Sequence, residues 1–447
     1  VASSRGQRYD KPARAPHDVA GRDEFQTSPT LLRRKHMTSS IEHAIPFEDP
    51  NFYSGDPYPV FARLQREHPV HYYEPLDIFV LTKLDDIREA ARRADLFSSG
   101  HGLFLNDLRI QKDSKADTSV FDGFFPADAE HFAFADPPRH KTLRGLITPA
   151  FAVRNINEMK PAIEQFIAEL IDKIDPGVPI DFVAEIADQL PIMVATRLLG
   201  ISVQDHKMVK KWSDALEDMN AVDNLEDIEA AKATFASMNA VFEGEFARQR
   251  VSPRHGLVAD MLNASLDGQP VADANVLAYA TTVLAAGSDT TRALLTGTML
   301  AFADFPDQMT RLKADRSLMN TGIEEALRWV TPARSFVRTA LQDTEISGTP
   351  IKAGQRIFLL YAAGNFDAEA FTDPHNFDVG RANVGQHVAF GFGPHMCIGA
   401  QLVRTEMRIF LTALLDRFSR ITKASEPSPV VHVLRHSWSS APLVFDE

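Results

Sequence analysis

FGFGPHMCIGAQL, running from Phe390 to Leu402, holds the only cysteine of this 447-residue chain, Cys397. Gly391 and Gly393 permit backbone conformations that other residues avoid, so the segment can bend tightly and aim successive N–H groups at one point, the sulfur. Downstream, Val403, Met407, Phe410 and Leu414 follow helical spacing. Extending that helix back toward Gly399 places Cys397 near its N-terminus, where free N–H groups and the helix dipole predict a lowered thiol pKa. A lone cysteine is more often a small buried hydrophobe than a reactive group. As a nucleophile it would want a His–Asn arrangement that the sequence does not declare, and His395 two residues earlier does not establish one. A ligating thiolate suits a glycine-bent loop at a helix start.

One cysteine excludes an intramolecular disulfide and a multi-cysteine zinc site, and a reducing cytoplasm fits best. Hydrophobic residues at 44% and charged residues at 24% are ordinary for a packed globular chain. The net charge of −13 argues against a nucleic-acid partner, which needs a basic footprint. No apolar run is long enough to span a bilayer and no signal segment opens the chain, so no membrane anchor is expected.

Residues 1–40 are polar and lack periodicity, predicting a disordered leader with Met37 as a natural start, and residues 41–447 read as one domain. Pro59 can open a helix through Glu67. Val70–Tyr73 and Ile78–Thr82 predict a hairpin. Helical spacing then dominates over Lys141–Asp175, Phe182–Leu199, Asp205–Ala221 and Asp227–Arg250. A second β-rich stretch spans Phe336–Tyr361 with Gly348 and Gly354 at turns, and an irregular stretch follows it. The class is mainly α, an α+β fold with a helical body and a smaller β-rich region. Between residues 98 and 135 a long segment carries Phe104, Phe121, Phe124, Phe125, Phe132 and Phe134; these either wall an apolar pocket or pin the loop to the core.

Three further segments carry candidate chemistry. AAGSDTT lies within an apolar helical run from Asp273 to Phe305; Gly287, Ser288, Asp289, Thr290 and Thr291 are poor helix formers and predict a distorted turn. In EEALR, Glu325 and Arg328 share one helix face, as His140 and Arg144 do in DPPRHKTLR.

Phe390, Gly391, Gly393, His395, Cys397 and Gly399 match, position by position, the haem-binding loop of cytochromes P450, and the three other segments follow in that family's order. The chain resembles a bacterial-type member of this family over most of its length. The resemblance implies the cytochrome P450 fold, haem b with Cys397 as axial ligand to the iron and Phe390 packed beside the ligand loop, and O2 as co-substrate. It implies that His140, Arg144, Arg338 and His395 bind the haem propionates. Asp289 and Thr290 resemble the acid–alcohol pair, whose hydroxyl bonds near dioxygen at the haem while the carboxylate relays protons. Glu325 and Arg328 resemble a buried structural pair completed by Arg381. One departure is that Asn365 is followed by Phe366 and Asp367 where the family often has an arginine, which puts local salt-bridging there in question.

No flavin or NAD fingerprint follows Cys397. Electrons are therefore expected from a ferredoxin or flavodoxin, itself reduced by an NAD(P)H-dependent reductase, with Arg139, Lys141, Arg404 and Arg408 forming a basic docking patch. The expected reaction is monooxygenation, hydroxylating or epoxidising a small apolar substrate, with Arg334 a candidate for binding a substrate carboxylate. The rivals are a peroxide-driven haem-thiolate enzyme, which would need no Asp289–Thr290 relay, and a haem sensor or carrier, which would oxidise nothing.

Overall fold

The computed structural model describes residues 45–108, 128–201, 208–212, 215 and 225–447. The expected leader with Met37, the phenylalanines Phe121, Phe124 and Phe125, and most of the Asp205–Ala221 stretch lie outside the described residues. Apart from Ile45, the described residues belong to one unit, Pro46–Glu447.

Helix Tyr58–Glu67 carries Pro59 in its first turn, where the missing N–H costs nothing. Strands Val70–Tyr73 and Ile78–Leu81 pair antiparallel from Val70↔Leu81 to Tyr73↔Ile78, as their β-branched and aromatic residues predict. They join a five-stranded sheet whose next member is Arg356–Leu359, parallel to Ile78–Leu81, followed by Phe336–Ala340 and the short Phe97–Ser98. Gly348 and Gly354 sit at the turns of the second β-rich stretch.

Two of the expected helical runs are interrupted. Lys141–Asp175 divides into helices Arg139–Gly145 and Val153–Ile171, separated by a tighter turn at Thr148–Phe151 that holds Pro149. Phe182–Leu199 begins with a wide turn, in which the Asp188 N–H reaches Val183 O at 2.9 Å, before helix Gln189–Leu199. Leu225–Val251 forms a helix close to the expected bounds.

Helix Asp273–Asp304 is the axis of the helical body, and its residues are apolar and buried almost all round, as a central helix requires. It packs on Gln189–Leu199 and on helix Met319–Val330. The larger hydrophobic core surrounds it, while a smaller one lies under the five-stranded sheet around Phe79, Ile87, Phe97 and Ile357. The cysteine segment touches both. Phe390 and Ile398 pack against the helical core, Phe392 against the sheet core.

Candidate functional site

Gly391 and Gly393 adopt φ of +69° and +72°, the left-handed region that favours glycine. At Gly393 a side chain would also collide with backbone, since its Cβ would lie 2.9 Å from Arg92 Cα. The loop therefore lies directly on helix Leu84–Arg92. The Cys397 N–H donates to Phe390 O at 2.8 Å, closing the loop, and Arg144 Nη2 donates to Met396 O at 2.6 Å. Helix Ala400–Arg417 starts three residues beyond the cysteine. Cys397 is accessible to solvent, yet the dense protein around it pushes the thiol pKa up. The Gly399 and Ala400 N–H groups and the cations Arg144 and Arg404 pull it down, by less. The lowered thiol pKa expected from the helix start is thus corrected: burial outweighs the dipole.

His140 and Arg144 project from helix Arg139–Gly145, Arg338 from strand Phe336–Ala340 and His395 from the cysteine loop. The fold brings them together, with the rings of His140 and His395 4.2 Å apart. The His395 pKa is pushed down to about 3 by burial, then by Arg338, His140 and Arg144. Arg338 is buried, and its Nη1 donates to the carbonyl of its neighbour Val337 at 2.7 Å. His140 Nε2 is buried without a hydrogen-bond partner. Among the described residues none of these four is ion-paired with a carboxylate. The buried Arg338, the partly buried Arg144 and an orphaned ring nitrogen on His140 form a donor set that fits a ligand bearing carboxylates, as haem does through its propionates.

On the central helix the expected distortion is corrected. The helix runs unbroken through Gly287–Thr291, with the hydroxyls of Ser288 and Thr290 bonded back to Leu284 O (2.6 Å) and Ala286 O (2.7 Å). Ala286 is exposed, Thr290 half-buried, and a Cβ at Gly287 would meet nothing within 4 Å, so this face of an otherwise buried helix borders open space. Asp289 is 4% exposed and ion-paired with Arg292 one turn along, with Arg435 Nη1 at 3.9 Å. Arg292 also reaches Asp188 at 3.1 Å, and Lys210 approaches Asp188 at 3.5 Å. Sequence reading missed Arg292, although its i+3 spacing from Asp289 was visible. In the 98–135 segment Phe104 packs on Phe336 at 5.8 Å, and Phe132 on Tyr279 at 5.6 Å.

Glu325, Arg328 and Arg381 meet in the interior. Glu325 Oε2 accepts from Arg328 Nε (2.8 Å) and Arg381 Nε (3.0 Å), and its Oε1 from Arg328 Nη2 (2.8 Å) and the Asp378 N–H (3.0 Å). The remaining arginine donors reach carbonyls of the irregular stretch, among them Asn365, Pro374 and Asn376. At the family departure, Phe366 lies under the Arg328 guanidinium at 5.0 Å, Asp367 caps Leu84 at 3.0 Å, and the local ion pair is Lys83–Glu369 at 2.8 Å.

The expectation for Arg334 does not hold, and that for the docking patch narrows. Arg334 is buried and spends its guanidinium on main-chain carbonyls of His432 (2.7 Å), Arg435 and Tyr53 (3.5 Å), so it ties three chain segments together and does not face a substrate. Arg334→Ala is expected to leave affinity for acidic ligands unchanged and to lower stability by about 2–3 kcal/mol, read from urea unfolding. In the docking patch, Arg139 is paired with Glu130 and Asp267 and Arg404 with Glu324. Only Lys141, exposed and without an ion pair among the described residues, and Arg408, bonded to the neutral Asn320, keep an uncancelled charge.

The fold and the cysteine loop together define a haem-thiolate protein. The family model described as Cytochrome P450 matches residues 103–437. The chain is 31% identical to the steroid C26-monooxygenase of Rhodococcus jostii (strain RHA1) over 411 residues, 89% of this chain and 83% of the relative. It is 30% identical to the cyclomarin C epoxidase of Salinispora arenicola (strain CNS-205) over 366 residues, 81% and 89% of the two chains. A cytochrome P450 of Mycobacterium marinum solved with pseudoionone superposes with a TM-score of 0.80 at 29% identity, covering 91% of this chain and all of that one. The chain belongs to the cytochrome P450 family, in its bacterial type, and is a monooxygenase.

Proposed function

We propose that the enzyme inserts one atom of O2 into a C–H or C=C bond of a small apolar molecule, releasing the other as water. The observation that carries the apolar substrate is the open face of the central helix at Ala286, Gly287 and Thr290, a strip with no charged side chain. The steroid named for one relative and the pseudoionone bound by a structural neighbour are molecules of that character.

Cys397 would ligate the haem iron through its sulfur, and His140, Arg144, Arg338 and His395 would hold the propionates. Haem b, when bound, supplies the iron at which O2 is reduced, with the thiolate pushing electron density toward it. Gly399 leaves room beside the sulfur, since a Cβ there would stand 3.8 Å from Sγ. Asp289 and Thr290 manage protons. Thr290 presents its hydroxyl on the open face, and Asp289 carries protons inward when Arg292 loosens its hold. Electrons come one at a time from a ferredoxin or flavodoxin, reduced in turn by an NAD(P)H-dependent reductase in the cytoplasm. Among the described residues no helix is long and apolar enough to cross a membrane.

The test is turnover of an apolar panel with a surrogate ferredoxin and reductase, counting product and hydrogen peroxide per NADPH. Thr290→Ala is expected to divert most NADPH to peroxide, and Asp289→Asn to slow product formation by about 100-fold with an enlarged solvent isotope effect. Product-to-peroxide ratios equal to wild type in both variants would reject the relay.

A further inference from the structure

The segment before helix Arg139–Gly145 is bound to the central helix along one face, at Asn275, Tyr279 and Thr282, which follow the i, i+4, i+7 spacing. Asn275 Nδ2 donates to Glu130 O at 2.9 Å. The Tyr279 ring packs on the rings of His131 (4.9 Å) and Phe132 (5.6 Å), and Thr282 Oγ1 meets His131 Nε2 at 2.9 Å. One turn further along, Ala286 is exposed. His131 thus stands where the covered part of the helix gives way to the open strip of Thr282, Val283, Ala286, Gly287 and Thr290. Its ring is buried and packs on Phe132 and Phe134 at 4.7 and 5.8 Å. Burial pushes its pKa down to about 3, so the imidazole is neutral. Because Nδ1 accepts the Ala133 N–H at 3.2 Å, the ring proton sits on Nε2 and points at Thr282. The Thr282 hydroxyl accepts it and gives its own proton to Ala278 O at 2.8 Å.

We propose that His131 is a specificity-determining residue: by holding the Thr282 hydroxyl it closes this end of the strip as an apolar cap, and so selects substrates that are hydrocarbon at the end remote from the oxidised carbon. This rests on the reading of the strip as the substrate site, with Thr290 beside the reacting carbon. Thr282 and Thr290 are eight residues apart, about 12 Å at the helical rise, so the cap meets a substrate of roughly that length. A polar group carried to that end loses its water and finds the threonine proton already spent, which costs about tenfold in affinity. The rings of His131, Phe132, Phe134 and Tyr279 supply apolar surface around the same point. Shorter molecules stop before the cap and are not sorted by it.

The probes are N-alkylimidazoles of increasing chain length, each with and without a terminal hydroxyl, whose free ring nitrogen binds the haem iron and fixes one end of the ligand. Affinities are read on the holoenzyme from the shift of the Soret band. In the wild type, each long alkyl compound is expected to bind about tenfold more tightly than its hydroxyl counterpart. His131→Phe keeps a ring in the cluster and frees Thr282, so this gap closes for the long compounds and stays unchanged for the short ones. Thr282→Val bares the His131 N–H and closes the same gap, because a hydroxyl on the ligand can accept it. With both substitutions neither polar group remains, and the gap returns. A segment merely loosened by the substitutions would change the gap at every length and leave it changed in the double variant; that pattern, or gaps equal to wild type in both single variants, overturns the cap alone. Should His131→Phe fail to take up haem, Thr282→Val decides: a closed gap for long compounds supports the proposal, and an unchanged one overturns it. Wild-type affinities that do not rise with alkyl chain length would overturn the strip as the substrate site, and the cap with it.

Discussion

Cys397→Ser is expected to abolish the strongly red-shifted Soret band of the reduced carbon monoxide complex and to reduce monooxygenation to background, while leaving the fold in place. The loop is closed by main-chain and arginine bonds, Cys397 N–H to Phe390 O and Arg144 to Met396 O, and none of them involves the sulfur. Gly393 remains seated on the backbone of Ala91 and Arg92. The variant therefore keeps the loop and loses the soft, polarisable anion that the iron requires, since a serine hydroxyl does not ionise near neutral pH and is a poorer donor of electron density. The two spectra, with a melting curve for each protein, decide the matter. A serine variant that kept the red-shifted band would remove Cys397 from the axial position, and a wild type with a histidine-type band would do the same.

Glu325→Gln carries the largest expected cost in stability, about 3–5 kcal/mol, which is a large fraction of what a folded domain has to lose. Glu325 and Arg328 are 0% exposed and Arg381 is 6% exposed. The wild-type carboxylate satisfies two arginines and the Asp378 N–H. An amide keeps the shape but leaves two guanidinium groups in the interior without an anion. The arginines in turn gather the carbonyls of Asn365, Pro374 and Asn376, so the irregular stretch that leads into the cysteine loop loosens with them. Urea unfolding of the purified variant, and its yield of haem-loaded protein, measure the effect. A loss below about 1 kcal/mol would mean that the triad is an accessory to the scaffold.

The parts of the site that were legible in the sequence are those written in local spacing. Two glycines flank a bend, His140 and Arg144 lie one turn apart, Glu325 and Arg328 share a face, and the hairpin at Val70–Leu81 follows from β-branched runs around a turn. What was not legible is depth and long-range partnership. The sign of the Cys397 thiol shift depends on how much protein surrounds the sulfur, which no periodicity reports. Arg334 looked free to bind a ligand because its partners are main-chain carbonyls of Tyr53, His432 and Arg435, groups that every residue has and that leave no mark in the sequence. Arg139 and Arg404 looked like surface charges because Asp267 and Glu324 reach them from far along the chain. The helix at Gly287–Thr291 stayed unbroken because packing buries most of its length, where composition alone favoured a break.

The parallel pairing of Arg356–Leu359 with Ile78–Leu81 bears on how the chain is made. During synthesis the amino-terminal hairpin emerges early with one edge unpaired, and the strand that covers it is not translated until most of the helical body has left the ribosome. Closing so long a loop late adds little to the entropy already lost, because that cost grows only logarithmically with length, but it places the slow step at the end. For that interval the nascent protein carries an open strand edge of Ile78, Phe79, Val80 and Leu81, an invitation to aggregation that chaperones can cover. Yield in a foreign host is therefore expected to fall as that edge stays uncovered for longer.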